Sequence, residues 1–180
     1  MADSLVTFWR HGFEGSSVEE LERATGLGRS SLYNTFGNKR ALFLAALDRY
    51  AQAFQEGPLG ILMHGTAGLD DLLAFYTALG GHQDADAPTG CLMVNSLVEL
   101  GSVADPDVQR RVDAYQAAMR HAFVATLGRA AARGEITPRD VTARAEVLLT
   151  LTIGLAARAR GGGLQPALDS ITGLVRSWAA

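Results

Sequence analysis

Residues 29–39 bring together side chains that donate hydrogen bonds from hydroxyl, amide and cationic groups. They are Arg29, Ser30, Ser31, Tyr33, Asn34 and Lys39. Such groups bind phosphate oxygens and the edges of nucleic-acid bases. From Arg23 to Leu47 the chain carries four basic residues and no acidic one, so no negatively charged side chain of this stretch would repel an approaching anion. The stretch therefore predicts a site for a polyanion.

Two short helices around a glycine turn are predicted to position these groups. Ser16 stands as the N-cap of the first helix, and Glu19 three residues later completes a capping box. Val18, Leu21 and Ala24 recur at helical spacing and give this helix one apolar face. The segment is therefore expected to pack that face into a small core.

The turn after this helix is predicted at residues 25–27. Gly26 can adopt the left-handed conformation that ends a helix, and Leu27 is expected to return to the core. In the second helix Leu32 and Phe36 face inward, which leaves the polar groups facing outward. Two helices joined by such a turn form a helix-turn-helix, whose second helix enters the major groove of DNA.

Phosphate contacts are expected at the starts of the flanking helices. Lys39 and Arg40 follow Gly37-Asn38 and fall in the first turn of the next helix, where the helix dipole disfavours cations. An anion there would restore favourable electrostatics, and the N–H groups of a helix start can bind phosphate too. Ser17, at the start of the first short helix, can donate its hydroxyl to a phosphate or support the cap.

The first part of the chain resembles a known family of bacterial regulators. Residues 12–43 contain the run GFEGSSVEEL…ATGLGRSSLYNTFGNKRALF, which is similar to the DNA-binding head of the tetracycline-repressor (TetR) family. The matching features are Gly12-Phe13, Leu32-Tyr33-x-x-Phe36 and Asn38-Lys39-x-x-Leu42. The resemblance implies a DNA-binding head over residues 1–45 and an effector-binding and dimerisation domain over 46–180.

The resemblance also bears on two residues of the second short helix. It implies that the Tyr33 hydroxyl contacts a phosphate, with simple packing of the ring as the alternative. Gly28 departs from the family pattern, in which Ser or Thr at that position caps the recognition helix. Because glycine has no side-chain acceptor, it is expected to cap this helix less well.

The rest of the chain is predicted to be helical, and it shows no strand signal. The first helix ends at a left-handed C-cap at Gly12, a helix runs from about 38 to 55, and Asp105-Pro106 opens the clearest helix. Other helices are predicted within 58–67 and at 69–79, 89–101, 137–160 and 164–178, with a polar loop at 80–88. The expected fold is all-α, with about nine helices and a helix-turn-helix head on a larger helical body.

The last two helices, near 140–160 and 164–179, are expected to form a homodimer interface. One recognition helix reads only a few base pairs, whereas a twofold dimer reads two half-sites one helical turn apart. A palindromic operator in double-stranded DNA is therefore the expected partner. The resemblance implies a four-helix bundle, in which Leu168 and Ile171 would face the partner; closing the core of a single chain is the alternative.

Bulky and adaptable side chains in the body are candidates for an effector-binding site. They are Phe75, Tyr76, Cys91, Met93, Asn95, Tyr115, Met119 and Phe123. Aromatic and methionine side chains beside a few polar atoms are typical of a small-molecule cavity, although the same residues could fill a core. Cys91 lies in a Gly-Cys-Leu-Met-Val-Asn run, and some TetR-like regulators with a similar run respond to reactive small molecules. A small apolar or electrophilic effector is expected, with a buried and inert Cys91 as the alternative.

Composition narrows the class of protein further. The single cysteine excludes an internal disulfide framework and suits a cytoplasmic protein. The four histidines show no metal-ligand spacing, so neither a metal nor another cofactor is expected. The longest apolar run, residues 147–157, is too short to span a bilayer, so no membrane partner is expected.

Three functions are compatible with these features. The first is a ligand-responsive DNA-binding transcriptional regulator, most often a repressor. The second is a helical ligand-binding or dimerisation protein with weak or lost DNA binding, suggested by the net charge of −1 over residues 1–56. The third is an enzyme using Cys91 with His121 or Glu99, and no spacing brings those residues together. The first is therefore the prediction, and no enzymatic activity is expected.

Overall fold

The computed structural model describes residues 2–81, 89–100 and 105–179. In these ranges the chain forms ten α-helices and one short 3-10 turn, and it contains no strand. The helices are α1 (Ala2–Gly15), α2 (Val18–Thr25), α3 (Arg29–Phe36), α4 (Lys39–Glu56), α5 (Pro58–His64), α6 (Leu69–Gly81), α7 (Leu92–Leu100), α8 (Pro106–Ala132), α9 (Val141–Arg160) and α10 (Leu164–Arg176). The all-α prediction is confirmed. The sequence predicts about nine helices, and the described residues form ten when the short α5 is counted.

The predicted capping box of α2 is shifted by one residue. The N-cap is Ser17, whose Oγ accepts a hydrogen bond from the Glu20 N–H at 3.2 Å, while Glu20 Oε2 accepts from the Ser17 N–H at 2.8 Å. Ser16 is buried instead, and its hydroxyl donates to the Gly12 carbonyl at 2.6 Å. Both Ser-x-x-Glu pairs fit the sequence signal, and only the burial of Ser16 distinguishes them.

The turn between α2 and α3 corrects a second prediction. Gly26 adopts the expected left-handed conformation, with φ 67° and ψ 10°. Leu27, however, is 41% exposed and does not return to the core. Leu21 and Leu32, each only 2% exposed, already supply the apolar side chains on the inner faces of the two helices.

Three predicted boundaries in the body also move. Helix α6 continues through Gly80 and Gly81, and residues 82–88 of the predicted loop lie outside the described residues. Helix α7 begins at Leu92 and not at Thr89, because Gly90 takes a φ of 69° that a helix cannot contain. The segment predicted to start at 137 opens with the 3-10 turn Pro138–Asp140 before α9 begins.

The chain divides into two compact units. The first contains Met1–Ala53 and Cys91–Asp113, and the second contains Phe54–Gly90 and Ala114–Ala180. The structure therefore groups α7 and the first turns of α8 with the helix-turn-helix. The predicted division into a head of residues 1–45 and a body of residues 46–180 places α7 and the start of α8 in the body. That division stays a prediction.

Within the second unit, α10 packs against α6 and α9. Leu168 and Ile171 are each only 5% exposed in the single chain, so they close the core of their own protomer. Their predicted place on a dimer interface is therefore wrong. The large apolar side chains that are exposed on the last two helices are Val147, 44% exposed, and Leu174, 36% exposed.

Two expectations from the sequence concern membrane-spanning helices and metal sites. None of the helices in the described part of the chain is both long enough and apolar enough to cross a bilayer. Across those same ranges, no group of three or more His, Cys, Asp or Glu side chains is arranged to hold a metal ion.

Candidate nucleic-acid interface

Helix α3 presents the predicted polar side chains on its outer face. Arg29, Ser30, Ser31 and Asn34 are exposed, and Tyr33 is half-buried. The guanidinium carbon of Arg29 lies 5.9 Å from the centroid of the Tyr33 ring, which favours an ordered cation at the start of the helix. The structure thus brings the predicted base and backbone contacts together on one exposed surface.

Ser17 lies at the start of α2 and is also exposed. Its Oγ accepts the Glu20 N–H, but a serine hydroxyl carries a proton that it can still donate. The capping role and the predicted phosphate contact are therefore compatible. The backbone N–H of Ser17 lowers the pKa of Glu20, which keeps that carboxylate ionised at the positive end of the helix.

Lys39 is the first residue of α4, and its ammonium group lies over an aromatic ring. The Nζ atom is 4.7 Å from the centroid of Phe13, and the residue is half-buried. Asn38 caps the helix, because its Oδ1 accepts a hydrogen bond from the Ala41 N–H at 2.8 Å. The ring contact holds a cation at a helix start, where a phosphate would offset the unfavourable dipole.

Arg40, which the sequence places beside Lys39 at a predicted phosphate contact, is held in ion pairs with two aspartates. Its Nε donates to Asp105 Oδ2 at 2.8 Å, and its Nη2 donates to Asp105 Oδ1 at 2.7 Å and to Asp107 Oδ2 at 2.6 Å. The Arg40 hydrogen bonds lower the pKa of Asp105 from 3.8 to about 2, and the two aspartates raise the pKa of Arg40. A cation bound this way is neutralised within its own unit.

A second arginine–aspartate pair joins α8 back to α4. Arg111 donates from Nε to Asp48 Oδ1 at 2.7 Å and from Nη2 to Asp48 Oδ2 at 2.9 Å. We call this pair and the Arg40–Asp105 pair the two arginine forks. Asp105 also caps α8, as predicted, because its Oδ1 accepts the N–H groups of Asp107 and Val108 at 3.0 and 3.2 Å. Bidentate pairs fix geometry as well as distance, so α4 from Arg40 to Asp48 is held against the first turns of α8.

Glu99 of α7 holds the chain just before α2. Its Oε2 accepts the Phe13 N–H at 2.9 Å, and its Oε1 accepts the Glu14 N–H at 2.7 Å. Gly12 beside it has the expected positive φ of 77°, but its ψ of −176° is outside the left-handed helical region, and helix resumes after it. The sequence suggests Glu99 only as a partner for Cys91, and its spacing gives no signal of this role.

The predicted effector residues of the second unit form an aromatic cluster, which we define as Phe54, Phe75, Tyr76, Tyr115 and Phe123. The Phe75 ring centroid lies 5.1 Å from that of Tyr76, 5.6 Å from that of Phe123 and 6.3 Å from that of Phe54. Phe54 also lies 4.8 Å from Tyr115. Phe54, at the end of the apolar face that the sequence predicts for α4, joins the cluster although it is not among the predicted effector residues.

Tyr76 joins this aromatic cluster to a hydroxyl group of α9. The Tyr76 hydroxyl is 3.0 Å from Thr152 Oγ1, and the Thr152 hydroxyl donates to the Leu148 carbonyl at 2.7 Å. Tyr76 is therefore the donor to Thr152, and burial raises the pKa of Tyr76. Met119, also predicted, is buried on the same helix as Tyr115.

The remaining predicted effector residues belong to the first unit. Cys91 and Met93 are buried there, with exposed fractions of 8% and 1%, and Asn95 is half-buried. The Asn95 N–H donates to the Cys91 carbonyl at 2.9 Å at the start of α7. The aromatic part of the predicted site is thus brought together, and the cysteine part lies in the other unit.

Comparison with known proteins agrees with this architecture. Residues 2–46 match the family "Bacterial regulatory proteins, tetR family", and residues 68–172 match "Tetracyclin repressor-like, C-terminal domain". The Escherichia coli K12 protein named HTH-type transcriptional repressor ComR is 34% identical over 179 residues, which covers 97% of this chain and 85% of that protein.

Two solved structures show the same fold. Reduced NemR of E. coli has a TM-score of 0.82 at 22% identity, covering 99% of this chain and 94% of that one. A cysteine-substituted CifR, complexed with 26-base-pair operator DNA, has a TM-score of 0.81 at 22% identity, covering 98% of this chain and 94% of that one. The chain therefore belongs to the tetR family of bacterial regulatory proteins, and it is a DNA-binding transcriptional regulator and not an enzyme.

Proposed function

We propose that this chain is a repressor that binds a palindromic operator in double-stranded DNA as a homodimer and leaves it when a small effector binds. The observation that carries the proposal is the exposed polar face of α3 on a helix-turn-helix. The name of the relative ComR, a transcriptional repressor, supports repression. The solved structure of the CifR variant complexed with operator DNA supports the choice of partner. The proposed place of action is the bacterial cytoplasm.

The proposed contacts divide by chemistry. Arg29, Ser30, Ser31 and Asn34 would meet base edges, because the N-terminal part of a recognition helix lies deepest in the major groove. Ser17, Tyr33 and Lys39 would position the head on the phosphates, because they flank this face with hydroxyl groups and a cation.

A specific observation favours the second candidate function, a ligand-binding or dimerisation protein with weak or lost DNA binding. Arg40 is neutralised by Asp105 and Asp107, so the acid-free stretch offers DNA fewer cations than the sequence suggests. Selection of bound sequences from random double-stranded DNA by the purified chain decides between the two. Recovery of no enriched sequence would favour this candidate.

Lys39→Ala tests the phosphate contacts. We expect weaker binding to the selected operator and to unrelated DNA alike, with the salt dependence reduced by about one charge. Binding is measured by fluorescence anisotropy over a series of salt concentrations. Arg49→Ala is the matched control, because Arg49 is an exposed cation further along the same helix. A Lys39→Ala chain with unchanged affinity and salt slope would remove Lys39 from the interface.

The proposed effector is a small apolar or electrophilic molecule, and the aromatic cluster of the second unit is its proposed site. Aromatic rings and the Tyr76–Thr152 hydroxyl pair offer an apolar ligand a large contact area and a point of orientation. Release from operator DNA by a panel of apolar and electrophilic compounds can identify the active class.

Tyr115→Trp and Cys91→Ser then locate the effector site. We expect Tyr115→Trp to weaken release by apolar compounds, because it adds bulk to the aromatic cluster. We expect Cys91→Ser to abolish release by electrophiles only. Met63→Trp adds a similar ring at a residue that is 53% exposed, and it should change neither response. Electrophile release that survives Cys91→Ser would exclude the thiol, and release unaffected by Tyr115→Trp would place the ligand elsewhere.

A further inference from the structure

The recognition helix α3 begins without a side-chain cap of its own. Its N-cap residue is Gly28, with φ −68° and ψ 158°, and no side chain at that position accepts a hydrogen bond. The first turn of α3 contains no acidic residue either. The first N–H groups of any helix lack partners within the helix, so a start of this kind is prone to fray.

Glu22 of α2 supplies the missing acceptor. Its Oε1 accepts a hydrogen bond from the Arg29 N–H, across seven residues and from the other helix of the motif. The carbonyl of Glu22 also accepts the Gly26 N–H at 2.9 Å, where the chain takes its left-handed turn. Side chain and backbone of one residue therefore hold both sides of the turn between α2 and α3.

We propose that Glu22 is a positioning residue for operator recognition, which caps the recognition helix and so orders its DNA-facing first turn. This inference rests on the proposed function. A carboxylate at a helix start complements the helix dipole, and this one replaces the serine or threonine hydroxyl that glycine lacks. Arg29 and Ser30 occupy that first turn, where recognition helices contact base edges.

The sign of the effect on DNA binding makes the proposal testable. A carboxylate beside the DNA surface repels phosphate, so charge alone predicts that Glu22→Ala binds DNA more tightly. Capping predicts the opposite, and we expect Glu22→Ala to weaken operator binding about fivefold. Glu19→Ala is the matched control, because Glu19 is an exposed acid on the same helix. It removes the same charge without the cap, so its binding should not weaken.

A second substitution separates capping from any other role of Glu22. A Cβ added at Gly28 would meet nothing within 4 Å, and the extended backbone there suits an N-cap serine. We expect Gly28→Ser to restore operator binding in the Glu22→Ala background to within about twofold of wild type. A side chain needed only for packing on α2 would not be replaced by a hydroxyl at residue 28.

Amide hydrogen exchange of Arg29 in the DNA-free protein gives an independent readout. The exchange should be faster in Glu22→Ala and slow again in the double variant. If the wild-type chain selects no DNA, the proposed function fails, while the exchange experiment still reports on the cap. Unchanged Arg29 exchange in Glu22→Ala, operator binding no weaker than in Glu19→Ala, or a failed rescue by Gly28→Ser would each overturn the proposal.

Discussion

Replacing Gly12 by alanine should destabilise the first unit by about 2–4 kcal/mol and lower operator affinity at least about tenfold. The φ of 77° at Gly12 is unfavourable for any residue with a Cβ. The added Cβ would also lie 2.5 Å from Glu99 Oε2 and 2.9 Å from its Cδ. If the Glu99 side chain moves away from the new Cβ, it loses its hydrogen bonds from the Phe13 and Glu14 N–H groups. The free-energy costs of backbone strain and of these lost hydrogen bonds therefore add together.

Urea denaturation followed by circular dichroism measures the loss of stability, and anisotropy measures the loss of operator binding. Gly15→Ala is the control, because a Cβ there would meet only His11 Cβ, at 3.7 Å. In a Glu99→Ala background the same Gly12 substitution should cost less, since only the backbone strain remains. A Gly12→Ala chain as stable as Gly15→Ala would show that Glu99 does not hold this part of the chain.

Charge on the outer faces of α9 and α10 should separate the proposed dimer. We expect Val147→Glu combined with Leu174→Glu to give a folded monomer whose operator affinity is lower by about a hundredfold. Both side chains are exposed in the single chain, so the substitutions do not disturb its core. In a dimer interface each carboxylate would be buried without a partner, which costs several kcal/mol.

Light scattering and circular dichroism distinguish loss of the dimer from loss of the fold. Met63→Glu is the control, because it charges an exposed apolar residue outside the last two helices and should leave the dimer intact. Leu168→Glu, at a buried position, should instead lower the melting temperature of the chain itself. A Val147/Leu174 double variant that remains dimeric would place the interface elsewhere.

Local signals in the sequence predicted the helices well, because a cap and its partners lie within a few residues. Asp105 caps α8 through N–H groups two and three residues later, and it was predicted directly. Gly26 ends α2 for the same local reason. The capping box of α2 was misplaced only because two adjacent serines each precede a glutamate by three residues.

Contacts between distant residues could not be predicted in this way. Arg40 and Asp105 are 65 residues apart in the sequence, and Glu14 and Glu99 are 85 apart. Local residue spacing therefore gives no signal of either contact. The apolar stripe of α10 was equally ambiguous, since Leu168 fits a protomer core and a dimer interface by periodicity alone. Burial in the folded chain, and not the sequence pattern, decides that case.

The two arginine forks differ in how freely their sequence can change. Lysine cannot replace either arginine, because an ammonium group does not present two parallel donors to one carboxylate. At residues 48 and 111 the charges could trade places at the loss of one further hydrogen bond, from Arg111 Nη1 to the Asp107 carbonyl at 3.1 Å, since within the described residues the Asp48 carboxylate accepts hydrogen bonds from Arg111 alone. At residues 40 and 105 they could not, because an arginine at 105 would leave the first N–H groups of α8 without their cap. Natural variants of this protein should therefore include chains with Arg at position 48 and Asp at position 111. The same variants should keep Arg at position 40 and Asp at position 105.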